Sequence, residues 1–102
     1  MSFSDIQNEH IRMAILHLLA SMPGYTINEG VLSTALRPFG HDVSRDAMRT
    51  QLAWLSEQGL LKISTVDDAG SLQVAKITAR GVDVAAGRAV VPGVRRPDPE
   101  GY

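Results

Sequence analysis

The chain has no cysteine. That removes disulfide frameworks, thiolate metal sites and cysteine nucleophiles together, and it is compatible with a reducing compartment. A long apolar run is also missing: the most apolar stretch, MAILHLLA (13–20), is far shorter than the ~20 residues of a membrane span. The opening MSFSDIQNEH lacks the basic start and apolar run of a signal peptide, so the chain is expected to be soluble, unprocessed and cytoplasmic. No charge of one sign dominates either. The formal charge is −1, and residues 1–44, 45–64 and 65–102 sum to −2, +1 and zero. The global field therefore exerts no pull toward nucleic acid, and any such binding must come from local segregation of charge. Internal repeats, low-complexity blocks, a glycine-rich phosphate loop, a carboxylate pair and a spaced nucleophile–base motif are absent from the sequence, so catalysis is not expected.

What is present suits one soluble domain. With 102 residues, 44% apolar and 21% charged, a single core is affordable, burying roughly 60 to 65% of the unfolded surface. So modest a core makes self-association a reasonable expectation.

Ser4, followed by Asp5, is expected to open a long first helix. Ile6, Met13, Leu16, Leu19 and Ala20 lie near one stripe, and Ile11, Ile15, Leu18 and Met22 widen it, so burial on more than one side follows. Pro23-Gly24 ends it. Thr26-x-x-Glu29 has capping-box spacing and predicts a short second helix over about 27–36, with Ile27, Val31, Leu32, Ala35 and Leu36 inward and Pro38 with Gly40 as terminators. Ser44 can cap a third helix that stops at Gly59. Its inward face is Met48, Leu52 and Leu55, flanked by Ala47, Gln51 and Trp54. Arg45, Asp46, Arg49, Thr50 and Ala53 fall on the opposite, solvent-facing side.

From Leu60 the period changes to two. LLKISTVD and SLQVAKIT alternate around DDAG, which reads as a β-hairpin with Leu61, Ile63 and Thr65 opposed to Leu72, Val74 and Lys76 or in the reverse register. Thr78 can cap a short fourth helix, with Val82 and Ala85 or Ala86 inward. The proline-rich close RAVVPGVRRPDPEGY reads as an extended arm. The division is therefore a domain over 1–87 and an arm over 88–102, and the fold class is α+β, mostly helical.

The run LAWLSEQGLLKI, the turn-tipped hairpin and KITARGVDVAAG resemble the last helix, wing and following helix of the winged-helix transcriptional regulators. There, L-x-x-x-G-L-[IL] followed some fifteen residues on by [LI]-T-x-x-G recurs. The resemblance covers about residues 5–87. The close VVPGVRRPDP is similar to the tail of small winged-helix proteins of Mu-like prophages, some of them described as ArsR-like. The resemblance implies a winged helix-turn-helix that binds double-stranded DNA as a phage-type regulator, homodimeric through its first helix, with the third helix in the major groove.

On that pattern the DNA-binding candidates are Ser44, Arg45, Arg49 and Thr50 on the third helix, Lys62 and Lys76 on the wing and Arg80 beyond it. Arginine can fork onto guanine or clamp a phosphate. The bland alternative is a solvated helix face. Asp67 and Asp68 at the wing tip would repel phosphate, and Arg95 and Arg96 on the arm stand beside Asp98 and Glu100. The rival expectation is therefore a winged-helix protein-interaction module in a phage assembly or replication complex, engaging its partner through the wing or arm. His10, His17 and His41-Asp42 carry zinc-ligand chemistry. ArsR-type sensors commonly use cysteines, however, and no metal or other cofactor is expected.

Overall fold

Ser2, not Ser4, opens the first helix. Its hydroxyl accepts from the Asp5 amide while the Asp5 carboxylate accepts from the Ser2 amide, a reciprocal cap that satisfies two otherwise orphaned donors. The computed structural model describes residues 2–67 and 71–97. Residues 68–70 of the expected DDAG turn and the carboxylates Asp68, Asp98 and Glu100 lie outside the described residues. Helix α1 spans Phe3–Ser21, and Pro23–Tyr25 follow as a 3₁₀ turn. Met13, Ala14, Ile15, Leu16 and Leu19 are buried, so the wide stripe does bury more than one side. Ile6 and Met22, at its two ends, stay exposed.

The expected capping box at Thr26 does not form. Thr26–Asn28 is a short strand, β1, and the Thr26 hydroxyl donates to the Gly24 carbonyl. Helix α2 runs Glu29–Leu36, with Asn28 as its cap through the Val31 amide. Val31, expected inside, is exposed, whereas Leu32 and Leu36 are fully buried. Helix α3 spans Arg45–Glu57 and is capped by Ser44, whose hydroxyl accepts from the Ala47 amide. Met48, Gln51, Leu52 and Leu55 are its buried residues.

The handover from α3 to the next strand uses the glycine as expected. Gly59 has φ 76°, the Gly59 amide donates to Ser56 and the Leu60 amide donates to Leu55. Together these close a left-handed helix end that satisfies two orphan carbonyls. The chain then enters β2, Leu61–Val66, and returns as β3, Leu72–Ile77. Leu61 faces Ile77, Ile63 faces Ala75 and Thr65 faces Gln73, whereas Leu72, Val74 and Lys76 face Val66, Ser64 and Lys62, so the pairing of Leu61, Ile63 and Thr65 with Leu72, Val74 and Lys76 does not form. Since β1 also pairs with β3, with Ile27 opposite Ala75, the sheet has three antiparallel strands in the order β1-β3-β2.

Helix α4, Ala79–Ala85, is capped by Thr78. The Thr78 hydroxyl also donates to the Gly59 carbonyl at 2.7 Å, and its amide donates to Leu60. One residue thus ties the end of the hairpin to its beginning. Gly81 makes this closure possible, because a Cβ there would overlap the Leu60 carbonyl oxygen. Gly81, Val84 and Ala85 are the buried residues of α4, while Val82 is only partly covered and Ala86 is exposed.

Over its described part, the close of the chain is not a loose arm. Val91 and Val94 join the same buried cluster as Leu16 and Leu55, and the Arg95 amide donates to the Glu9 carbonyl at 3.2 Å. Prolines and glycines keep the segment irregular, and two valines three residues apart still anchor it. Over the described residues the fold is therefore α+β and mostly helical, with four α-helices on a small antiparallel sheet. No helix among the described residues is long and apolar enough to cross a membrane.

Candidate nucleic-acid interface

The exposed side of α3 starts at its capped N-terminus. Arg45 keeps 58% of its side-chain surface, and its Nε lies 3.5 Å from Glu29 Oε1. One helical turn later Arg49, 31% exposed, meets the same carboxylate from a second direction. Its Nε donates to Oε1 and its Nη2 to Oε2, each at 2.9 Å, and Nη2 also donates to the Ser71 carbonyl at 2.6 Å. Three of the five guanidinium donors are thereby committed. Thr50 donates its hydroxyl to the Asp46 carbonyl at 3.0 Å, inside the helix, and the Ser44 hydroxyl serves the cap.

Glu29 is the centre of this arrangement. Only 4% of its side chain reaches solvent, and the Gln73 amide donates to the same Oε2 that Arg49 holds. The hydrogen bonds from Arg49 hold the carboxyl at about 2, aided by the Gln73 amide and the nearby positive charges and opposed by burial. The same partnership raises Arg49. An ionised carboxylate with good acceptor geometry tolerates burial because each lone pair finds a donor. In structural terms Glu29 joins α2 to α3 and to the start of β3.

The remaining candidates stand elsewhere. Lys62 and Lys76 are directly opposed on the outer face of the sheet, and both are exposed. Lys76 is five residues along an extended strand from Ser71, roughly 16 Å, so the lysine pair is well separated from the Arg49 contact. Arg80 is exposed in the first turn of α4. The seven candidates thus form one arginine site at α3, with Ser44 and Thr50 beside it, and a second basic locus at the far end of the hairpin. Of the arm residues, Arg95 is half-buried and Arg96 exposed. Among the described residues no group of three or more His, Cys, Asp or Glu is placed to hold a metal ion. Burial lowers His41, with a smaller contribution in the same direction from the charge of His10.

No family model matches the chain. Two relatives do. The uncharacterized protein gp26 of Escherichia phage Mu is 44% identical over 96 residues, covering 94% of this chain and 96% of gp26. An uncharacterized protein of Haemophilus influenzae strain Rd is 44% identical over 80 residues, 78% of this chain and 76% of the relative. The chain belongs to the phage Mu gp26 family.

Glu29 does not stand out as a site residue in the local sequence of this gp26-family chain. Its capping-box spacing to Thr26 supplies a local role that the fold does not use. Its partners are 20 residues away at Arg49 and 44 away at Gln73. The one available signal is a lone carboxylate at the start of an apolar helix, which does not by itself identify a partner.

Proposed function

We propose that this gp26-family protein is a winged-helix DNA-binding protein, a phage-type transcriptional regulator whose α3 reads the major groove. The observation carrying the proposal is the strand order β1-β3-β2 together with the direct α3–β2 join at Gly59. That connectivity supports a winged-helix reading, in which a short strand between the first two helices completes the wing sheet. In that plan the exposed face of the third helix meets base edges and phosphates. Here that face offers Arg45 as the more accessible guanidinium, with Ser44, Arg49 and Thr50 around it, and Lys62, Lys76 and Arg80 as a separate basic locus. A homodimer through α1 fits this reading, since few cationic groups are available per chain. An apolar cleft of about 260 Å³ lined by Ala14, His17, Leu18, Ser21 and Phe39 lies along that helix.

The test is a salt titration of random-duplex binding by fluorescence anisotropy, comparing the parent with Arg45→Ala. The parent is expected to bind at low salt, and the substitution to flatten the slope of log affinity against log salt by about 0.9, one phosphate contact. Equal slopes would remove α3 from the interface.

A second reading has one specific observation in its favour. Arg49 commits three of its five donors inside the protein, which leaves few groups for phosphate on a chain of net charge −1. On that reading the fold is a protein-interaction module of a phage assembly or replication complex. Salt-insensitive association with a co-purified protein, and no duplex binding, would select it.

A further inference from the structure

We propose that Glu29 is a positioning residue that restrains the basic face of α3, holding Arg49 away from nucleic acid and competing with phosphate for Arg45. The inference rests on the DNA-binding reading above and assigns a regulatory contact to the same site. Three observations carry it. The carboxylate is almost fully buried, so it is a fixed acceptor and does not drift with solvent. Arg49 is gripped by both carboxylate oxygens and by the Ser71 backbone carbonyl, an arrangement in which leaving for a phosphate would strand a buried negative charge. Arg45, by contrast, is held at 3.5 Å by one contact and remains mostly exposed. Swinging it onto a phosphate exchanges one oxygen anion for another while Arg49 still neutralises the carboxylate.

The asymmetry gives the two arginines different jobs. Arg45 is the contact group. Arg49 keeps Glu29 ionised and satisfied, and it fixes the start of β3 against α3 through Ser71. Glu29 thereby holds duplex affinity below what two unrestrained guanidinium groups on one helix face would give.

The test uses the full chain and a random duplex, with thermal melting to verify folding. Glu29→Gln removes the anion and keeps the side-chain length. The expected result is a three- to tenfold gain in affinity at low salt and a log–log salt slope steeper by about 0.9 to 1.8, one or two further phosphates. Glu29→Asp is expected to fall between parent and Gln. A merely structural Glu29 would lower affinity or leave the slope alone. Where the parent binds and folded Glu29→Gln keeps the parent slope, the restraint is refuted and the DNA reading stands. Where neither binds random duplex at low salt, both fall. Where only Glu29→Gln binds, the restraint is upheld and is complete in the parent.

Should Glu29→Gln fail to fold, the parent decides through its arginine Nε–H resonances during duplex titration. Arg45 is expected to shift and Arg49 to stay. Equal or larger movement of Arg49 would overturn the assignment.

Discussion

Arg49 and Arg12 each tie three segments of the chain together, by different chemistry. Arg49 joins α3 to α2 and the start of β3 through an anion, Glu29, and a single carbonyl. Arg12 joins α1 to α3 and to the closing segment through neutral acceptors. Its Nε donates to Gln51 Oε1 at 2.8 Å and its Nη1 to the Gly93 carbonyl at 3.0 Å, while its guanidinium carbon sits 3.9 Å from the centre of the Trp54 ring. Gln51 in turn donates to Asn8 at 2.8 Å. The protonation tendencies diverge accordingly. Pairing with Glu29 raises Arg49, whereas burial lowers Arg12 against the opposing pull of Glu9 and Asp5. One side of the domain is therefore held by a charge pair that acid can dissolve, and the other by a cation whose direct partners, two neutral acceptors and a π face, do not titrate.

The largest way to break the comparison is Glu29→Ala. It removes the acceptor of Arg49 and of the Gln73 amide together, and losing a buried, multiply bonded carboxylate costs about 3 kcal/mol, a large share of the stability of a small domain. The pH dependence sharpens it. The folded carboxyl sits at about 2 against an ordinary value of 4.5, so the depressed group contributes fully above 4.5 and its contribution is lost as pH falls toward 2. Denaturant melts at pH 7 and at steps down to pH 2 should show the parent and Glu29→Ala converging across that window. A gap that persists undiminished at pH 2 would mean that the carboxylate charge is not what holds α2, α3 and β3 together.

Next in size is Arg12→Met, which keeps an apolar stem over Trp54 and removes the donors. Loss of two hydrogen bonds and the cation–π contact predicts about 1–2 kcal/mol, with no change in acid profile relative to the parent. Because Gly93 is one of the lost partners, the closing segment should become more open to limited proteolysis than in Glu29→Ala at matched stability. Equal cleavage in the two variants would show that Val91, Val94 and the Arg95–Glu9 backbone bond retain the segment without Arg12.

The two clamps also separate what local sequence reading can see from what it cannot. The Ser44 and Thr78 caps, the Gly59 exit from α3 and the two hairpin strands are short-range features, each governed by residues within a turn of one another, and each forms as its spacing predicts. β1 was hidden because Thr26-x-x-Glu29 satisfies a local rule equally well. Pairing of Ile27 with Ala75 is decided some fifty residues away. The closing segment was hidden by its prolines and glycines, which signal irregular backbone correctly but say nothing of whether Val91 and Val94 find a groove. Arg45 and Arg49 were legible as one helix face. That a buried anion from another helix would hold one firmly and the other loosely was not, since only the packed fold puts Glu29 beneath them.

The smallest expected effect lies on the outer face of the sheet, away from both clamps. Lys62 and Lys76 are direct cross-strand partners, and like charges at that separation weaken a pair, whereas opposite charges support it. Lys62→Glu should therefore stabilise the hairpin by about 0.5 kcal/mol, a gain that shrinks as added salt screens the pair. The same substitution bears on function in the opposite direction. If this lysine pair touches phosphate when α3 is engaged, Lys62→Glu must weaken duplex binding and flatten its salt slope while raising the melting temperature. A variant that is more stable and binds as the parent does would confine any nucleic-acid contact to α3 and leave the lysines as a tolerated repulsion on a solvated strand pair.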